Sequence, residues 1–304
     1  MSAVTPKVSV GIPVYNGERF LAHTIDSILG QTFPNFELII SDNGSTDRTK
    51  EISEAYALRD ARIRFVRSEV NRGAAWNYQR LFELGRGEYF RWAPSDDLFA
   101  PDSLAECVAT LDANPDAALC YPKTDIIDSK GEVTRPYDDN LDLRSPDPVE
   151  RFRQGLAQIG LVNVIYGLMR SDALRKTRLM GAYVGADEVL VLELALYGKF
   201  LEIPRSRFYR RMHEKAFSQM KSSQEKQSFF DPATAGRFYL YLWQHYQQYC
   251  LGIVHSPLSL GIKVRAVGVL IRSAISIRHY LLKEVFIGTR QLVRPSSIFK
   301  RFSL

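Results

Sequence analysis

Two adjacent carboxylates, Asp96 and Asp97, follow the apolar run Tyr89 to Ala93 in the stretch Trp92-Ala93-Pro94-Ser95-Asp96-Asp97. A buried strand that delivers such a pair onto a loop can hold a hard cation. Mg²⁺ or Mn²⁺ is commonly bound through one or two carboxylates plus the phosphates of a substrate. The same pair could instead only initiate the next helix, because Pro101-Asp102 ahead of Leu104 and Val108 is a helix start. Another carboxylate, Asp42, closes the run that begins at Phe36. It can accept from an imide or amide N–H of a nucleobase, while Tyr15 offers a stacking face. Asp187-Glu188 stands at the head of a run rich in Leu and Val, apolar on more than one side and so expected in the interior. A helix N-terminus stabilises an ionised carboxylate, which suits Asp187 to act as a general base; Glu188 is the alternative, and simple capping the plainer one. Finally, Arg210, Arg211 and His213 lie in one extended basic run, where they could neutralise a leaving diphosphate and His213 could complete a metal shell.

These groups need a scaffold that gathers them. Val8 to Pro13 is short and β-rich, and Asn16-Gly17 ends it with turn chemistry. Phe20, Leu21, Thr24, Ile25, Ile28 and Leu29 recur at the period of an amphipathic helix, and Phe36 to Ile40 is the next strand. The pattern repeats through a helix from about Asp47 to Leu58, a strand Ile63 to Arg67, a helix from about Ala74 to Leu84, and the strand ending at Ala93. Such units pair in parallel, and their ligands collect beyond the carboxyl ends of the strands. Tyr15, Asp42 and Asp96/Asp97 all fall on that rim. Asp42 could alternatively cap the helix after it, and Asp47 is read as a cap. Residues 136 to 148, rich in Asp and Pro, are expected to form a long surface loop with acceptor contacts.

Four blocks, Val8 to Asn16, Ser27 to Thr32, Ser41 to Asp47 and Ser95-Asp96-Asp97, occur in the order found in family 2 glycosyltransferases. Over roughly residues 7 to 215 the chain resembles that family. The resemblance implies a GT-A fold, a mostly parallel α/β sheet flanked by helices, with a nucleoside-diphosphate sugar donor, a divalent Mn or Mg ion and inversion at the anomeric carbon. It further implies that Pro13, Tyr15 and Asp42 line the nucleoside site, that Asp96 contacts the ribose and that Asp97 binds the metal. Asp187 aligns with the family's base, one turn before an apolar helix ending in Gly198-Lys199-Phe200, and Arg210-Arg211-x-His213 matches the segment that meets the diphosphate and metal. Two departures stand out. Pro94 and Ser95 replace an acidic residue that many relatives carry ahead of the pair, and Trp76-Asn77 stands where many have Arg-Asn. Arg72 could still reach the donor diphosphate, being always charged, and Trp76 is expected in the core.

A chain of 304 residues can bury a large core, and its ordinary composition is that of a globular protein. Its start lacks the regions of a signal peptide and no run approaches ~18 apolar residues. Cys107, Cys120 and Cys250 show neither metal-ligand spacing nor an even disulfide count, so a reducing cytosol is expected. No nucleic-acid partner is expected. A glycosyltransferase domain over 1–220 is followed by a helical extension over 221–304. Its Arg265, Arg272, His279, Lys283, Arg290 and Arg294 form one stripe of a long helix, with Val267, Leu270, Ala274, Ile277 and Leu281 opposite. From 251 to 304 there are nine basic residues and one acid, Glu284. The basic amphipathic pattern predicts peripheral attachment to an anionic inner membrane face, or packing on its own domain or a second subunit. Function is read as inverting transfer to a glycan or lipid-linked hydroxyl acceptor in surface polysaccharide or glycolipid synthesis; the alternative is an inactive nucleotide-sugar or glycan-binding module. A nucleotidylyltransferase is disfavoured because no Gly-rich basic loop follows Ile12.

Overall fold

The computed structural model describes residues 5–214, 216–220, 222–234 and 239–293. Packing divides the chain into two units, Met1–Ala235 and Gly236–Leu304. In the first unit β1 (Val8–Val14), α1 (Leu21–Leu29), β2 (Phe36–Asp42), α2 (Thr49–Arg59), β3 (Ile63–Arg67), α3 (Ala74–Leu84) and β4 (Tyr89–Trp92) alternate as the hydrophobic periods require. Then follow β5 (Leu98–Phe99), α4 (Ser103–Ala113), β6 (Ala117–Ile127), β7 (Val133–Tyr137), α5 (Pro148–Gln158), β8 (Leu168–Arg170), α6 (Ser171–Leu174), α7 (Ala186–Ala195), β9 (Lys199–Arg211) and α8 (Ser223–Phe230).

The nine strands form one sheet in the order β3-β2-β1-β4-β8-β6-β9-β5, with β7 paired to β6. Its first four strands are parallel, and β8 joins β4 and β6 antiparallel to both. Helices cover both faces, so β2 is buried at all seven positions. Its period of two splits the core: Leu38 and Ile40 pack with α1 and α4 residues such as Ile25 and Leu104, while Ile39 packs with Leu81 of α3. The long β9 decides the site. It runs parallel to β6 and antiparallel to β5, pairing Leu98 with Tyr209, and so lays residues 210–213 beside Asp96 and Asp97.

Helix α7 is buried from Val189 to Ala195, as its all-round apolar sequence requires. The expected loop runs between Tyr137 and Pro148, exposed at Asn140, Asp142 and Arg144 but pinned to the core at two points. Leu141 and Leu143 are fully buried, Leu141 N–H donates to the Tyr121 hydroxyl at 3.1 Å, and Leu143 O accepts from Phe200 N at 3.1 Å. Two apolar anchors outweigh the polar composition around them.

In the second unit, α9 (Tyr241–His255) packs with α10 (Leu260–Ser276) and α11 (Arg278–Val293). The single long helix expected here is broken at Ile277, and this restarts the wheel. The buried side of α10 is Ala266, Val269 and Leu270, whereas Val264, Ile271 and Ile275 are exposed, so α10 is apolar on two sides. Glu284 does not disturb an apolar face; its carboxylate accepts from Leu242 N at 3.1 Å and caps the start of α9. Glu284→Ala should destabilise this unit by about 1 kcal/mol, the usual cost of a lost cap, measured as a lower midpoint of chemical unfolding. Arg294 lies outside the described residues.

Candidate active site

The β1–α1 and β2–α2 loops are laced together at the rim. Asn16 N–H donates to Ser45 Oγ at 2.9 Å, Thr46 N–H to Asn16 Oδ1 at 2.9 Å, and Gly17 N–H to Thr49 Oγ1 at 2.8 Å. Asn16 takes positive φ to make this turn, and Tyr15 beside it is 48 % exposed, free to offer its ring. Pro13 is half-buried at the end of β1. Asp47, read as a cap, stands one residue ahead of Arg48, the N-cap of α2, and its carboxylate accepts from Thr49 N at 3.0 Å and Glu18 N at 3.0 Å. Asp42 is fully buried. One carboxylate oxygen accepts from Ser45 N at 2.8 Å and the other from Arg67 Nε at 2.8 Å, with Arg67 Nη2 also donating to Ser45 O. Arg67 was not singled out from sequence; its place at the end of β3, in register with Asp42, was the available signal.

Asp96 and Asp97 have different surroundings. Asp97 is buried, and its carboxylate accepts from the Arg211 backbone N–H at 2.7 Å. Burial, and next the charge of Asp96, push its carboxyl well above the usual range against the pull of Arg211 and Arg210. Asp96 keeps its carboxylate partly open, with Oδ2 at 2.8 Å from His213 Nε2. The Phe20 ring lies 5.0 Å from the His213 ring. Asp96, expected at the ribose, is thus hydrogen-bonded to His213, while Asp97, expected at the metal, faces the Arg211 backbone.

The basic run is likewise sorted by its contacts. Arg211 is buried, with its guanidinium donating to the carbonyls of Asp96 (2.8 Å), Asp128 (3.1 Å) and Ser129 (3.3 Å) and stacked on Phe20 at 4.6 Å. Those partners make it a brace for the acidic loop. Arg210 is half-buried and donates to Leu161 O at 2.9 Å and to Asn163 Oδ1. Arg72 is turned onto Trp76, with its guanidinium carbon 4.9 Å from the ring centre, and the arginine that meets Asp42 is Arg67. Trp76 is half-buried and outside both apolar clusters, which corrects its expected core position; a ring between two guanidiniums keeps an edge in water.

Gly185, at φ 78°, turns the chain into α7 and puts Asp187 and Glu188 in its first turn. Two tyrosines lie within the electrostatic reach of both this turn and the acidic loop. The Tyr78 hydroxyl is pushed well up by burial and then by Tyr166, Asp187 and Asp96. Tyr166 is also raised, by burial first, with Arg210 opposing and Asp97 and Asp187 adding to it. The carboxylates from 96–97 and from 187 thus act on one pair of phenols. Neither tyrosine carried a sequence signal.

Glu188 is raised from 4.5 to about 7, by burial and then by Asp187. Between those values the native state binds the proton that the unfolded chain has released, so this contribution is complete below pH 4.5 and is lost as pH rises to about 7. Glu188→Gln should remove that slope, raising relative stability at pH 8 by on the order of 2 kcal/mol in denaturant titrations.

For a cation, the donor set is a carboxylate oxygen and an imidazole nitrogen at one open point, which suits Mn²⁺ or Mg²⁺ if ligand oxygens and water fill the other positions. Among the described residues no group of three or more His, Cys, Asp or Glu is placed to hold a metal.

Comparison with known proteins bears on family and fold. The model described as Glycosyl transferase family 2 matches residues 9–177. An uncharacterized glycosyltransferase of Rickettsia typhi (strain ATCC VR-144 / Wilmington) is 30% identical over 204 residues, 66% of this chain and 60% of that protein. The putative glycosyltransferase EpsH of Bacillus subtilis (strain 168) is 30% identical over 139 residues, 44% of this chain and 40% of its own. The match thus spans less than two thirds of these relatives. Among solved structures, S. aureus TarS 1-349 in complex with UDP superposes with a TM-score of 0.64 at 16% identity, covering 89% of this chain and 72% of that one. Mannosyltransferase PcManGT from Pyrobaculum calidifontis, in complex with GDP-Man and Mn2+, gives 0.53 at 15% identity over 94% and 88%. At such identities the likeness is one of fold.

Proposed function

The chain belongs to glycosyl transferase family 2 and has the GT-A fold, and on that premise we propose that it moves a sugar from a nucleoside-diphosphate donor to a hydroxyl acceptor, with inversion, in surface polysaccharide or glycolipid synthesis. The observation that carries this reading is the gathering of polar groups at strand ends: Asp42 on Arg67 at the ends of β2 and β3, and Asp96 on His213 beyond β4 and β9. Asp187 takes the acceptor hydroxyl proton as oxygen attacks the anomeric carbon, and the sugar–diphosphate bond breaks on the opposite side. Asp42, buried with its two carboxylate oxygens taken by Ser45 and Arg67, fixes the loop that borders the base, and Tyr15 supplies a face for it. Arg210 and His213 face the departing diphosphate. A divalent cation, when bound, would neutralise charge on that diphosphate, and Asp96 and His213 are the residues that would hold it.

The test is incubation of a panel of nucleotide sugars with Mn²⁺ or Mg²⁺. Metal-dependent release of nucleoside diphosphate, faster with acceptor, is expected. Saturable binding without turnover across screened acceptors would make the protein a binding module.

Location is a second part of the proposal. Among the described residues no helix is long and apolar enough to cross a membrane. The exposed Val264, Ile271 and Ile275 of α10 and Leu282 and Phe286 of α11, with Arg272 and Lys283 beside them, favour peripheral attachment to an anionic leaflet from the cytoplasmic side. Flotation with anionic liposomes at low salt should be lost at high salt and in the Val264→Glu, Ile271→Glu, Ile275→Glu triple variant. Equal flotation of that variant would remove these residues from the contact.

A further inference from the structure

Valine is ill suited to the left-handed backbone region, yet Val162 holds φ 57° and ψ 33° just ahead of the short helix Asn163–Tyr166. A β-branched residue there is an outlier, and strain of this kind persists only where the surroundings over-determine it, most often at functional sites. Those surroundings are specific. Leu161 N–H donates to the Tyr137 hydroxyl at 2.9 Å and Asn163 N–H to Asp139 Oδ1 at 3.0 Å, so both neighbours of Val162 are tied to the end of β7 and the residues after it. Asn163 and Asp139 are buried. Two acceptors of this turn, Leu161 O at 2.9 Å and Asn163 Oδ1, then converge on a single nitrogen, Nη1 of Arg210. Arginine only donates, so the amide atom against it is the oxygen.

These bonds engage one corner of the guanidinium and spare an edge. Among the described residues Nε and Nη2 of Arg210 have no hydrogen-bond partner, and the side chain is in no ion pair. Nε and Nη2 are a pair of parallel donors of the kind that grips an oxyanion at two atoms. The strand sets where the residue stands. Tyr209 pairs with Leu98, one residue beyond Asp97, and Arg211 N–H reaches the Asp97 carboxylate, so Arg210 lies between two residues fixed to the acidic loop. A mobile arginine loses rotamer freedom when it grips a ligand, whereas one already pinned at Nη1 has lost it beforehand. On the reading above, in which Arg210 faces the departing diphosphate, we propose that Asn163 is a positioning residue: its side-chain oxygen, on the turn strained at Val162, holds Nη1 so that the Nε–Nη2 edge of Arg210 meets the diphosphate.

The test is calorimetric titration of the full chain with Mn²⁺ and matched nucleotides, UDP and UMP, GDP and GMP, ADP and AMP, dTDP and dTMP, using the pair that binds the native protein best. The quantity read is the preference for diphosphate over monophosphate. Arg210→Gln should lower it about tenfold or more, and Asn163→Ala about three- to tenfold, with monophosphate affinity within about twofold of native. In the double variant Asn163→Ala, Arg210→Gln the loss should be no greater than in Arg210→Gln alone, because a residue that acts through another adds nothing once that other is gone. Asn163→Ser, with a side chain one atom shorter, carries the same cycle should the alanine variant fail to fold by circular dichroism. A folded Asn163 variant with the native preference, equal losses of monophosphate and diphosphate affinity, or losses that add in the double variant would overturn the proposal. So would an unchanged preference in Arg210→Gln, a result that leaves nucleotide binding and the transferase reading standing. Binding of no nucleotide by the native protein would sink that reading itself, and the proposal with it.

Discussion

Asp187→Asn is expected to lower glycosyl transfer by about 10²-fold or more while leaving donor affinity within a few-fold of the native protein. The asparagine side chain nearly matches the carboxylate in size, and its oxygen can still accept in the first turn of α7, so the helix start should survive. What it loses is basicity. A hydroxyl acceptor then attacks without a group to take its proton, and the loss appears in kcat at saturating donor and acceptor. Equilibrium binding of the nucleotide sugar, made at the other carboxylates, provides the contrast. Transfer at close to the native rate would remove Asp187 from the role and turn attention to Glu188, the other acid in the same helix turn.

The second large effect separates two neighbours. Asp96→Asn should reduce transfer by roughly 10²- to 10³-fold, the usual consequence of losing a group that stabilises charge on a leaving group. Asp97→Asn should cost less than about tenfold. Burial already favours the neutral form of Asp97, and an amide oxygen can take over acceptance of the Arg211 N–H. A chelator should bring the native protein to the level of the Asp96→Asn variant, and added Mn²⁺ should restore the native protein only. The reverse order, with Asp97→Asn the more damaging, would return the cation to Asp97.

Much of the fold was legible because its first half obeys local rules. The alternation of periods from Val8 to Trp92 specifies strand, helix and strand almost residue for residue, and β3 and α3 fall where their patterns end. The second half depends on distant pairing. Leu141 and Leu143 are anchored by Tyr121 and Phe200, far along the chain, and no window of sequence contains those partners. The same limit applied to the site. Asp42, Asp96 and Asp187 could be named from their place at element ends. Which of two adjacent acids faces outward depends on where β9 lays Arg211 and His213, a register set by pairing with β5 and β6. Arg211 reads as a diphosphate ligand by type and as a loop brace by contact, and only the carbonyls around it distinguish the two. Trp76 was misread because an indole can be satisfied by guanidiniums as well as by a core.

The pairing of Asp96 with His213 joins residues 117 apart in the chain, and this sets an order on the protein's birth. At about 5–20 residues per second, a ribosome that has made Asp96 needs roughly ten seconds more to make His213. In that interval β1 to β4 can assemble from local units, but β5 has no partner and the acidic loop lacks the Arg211 brace. Phe230, which packs into the cluster beneath α3 and whose carbonyl lies close over Gly73, arrives later still. The nascent chain therefore holds the Asp42 loop of the proposed donor site before the Asp96–His213 pair can form, and that pair waits until nearly all of the first unit has left the ribosome.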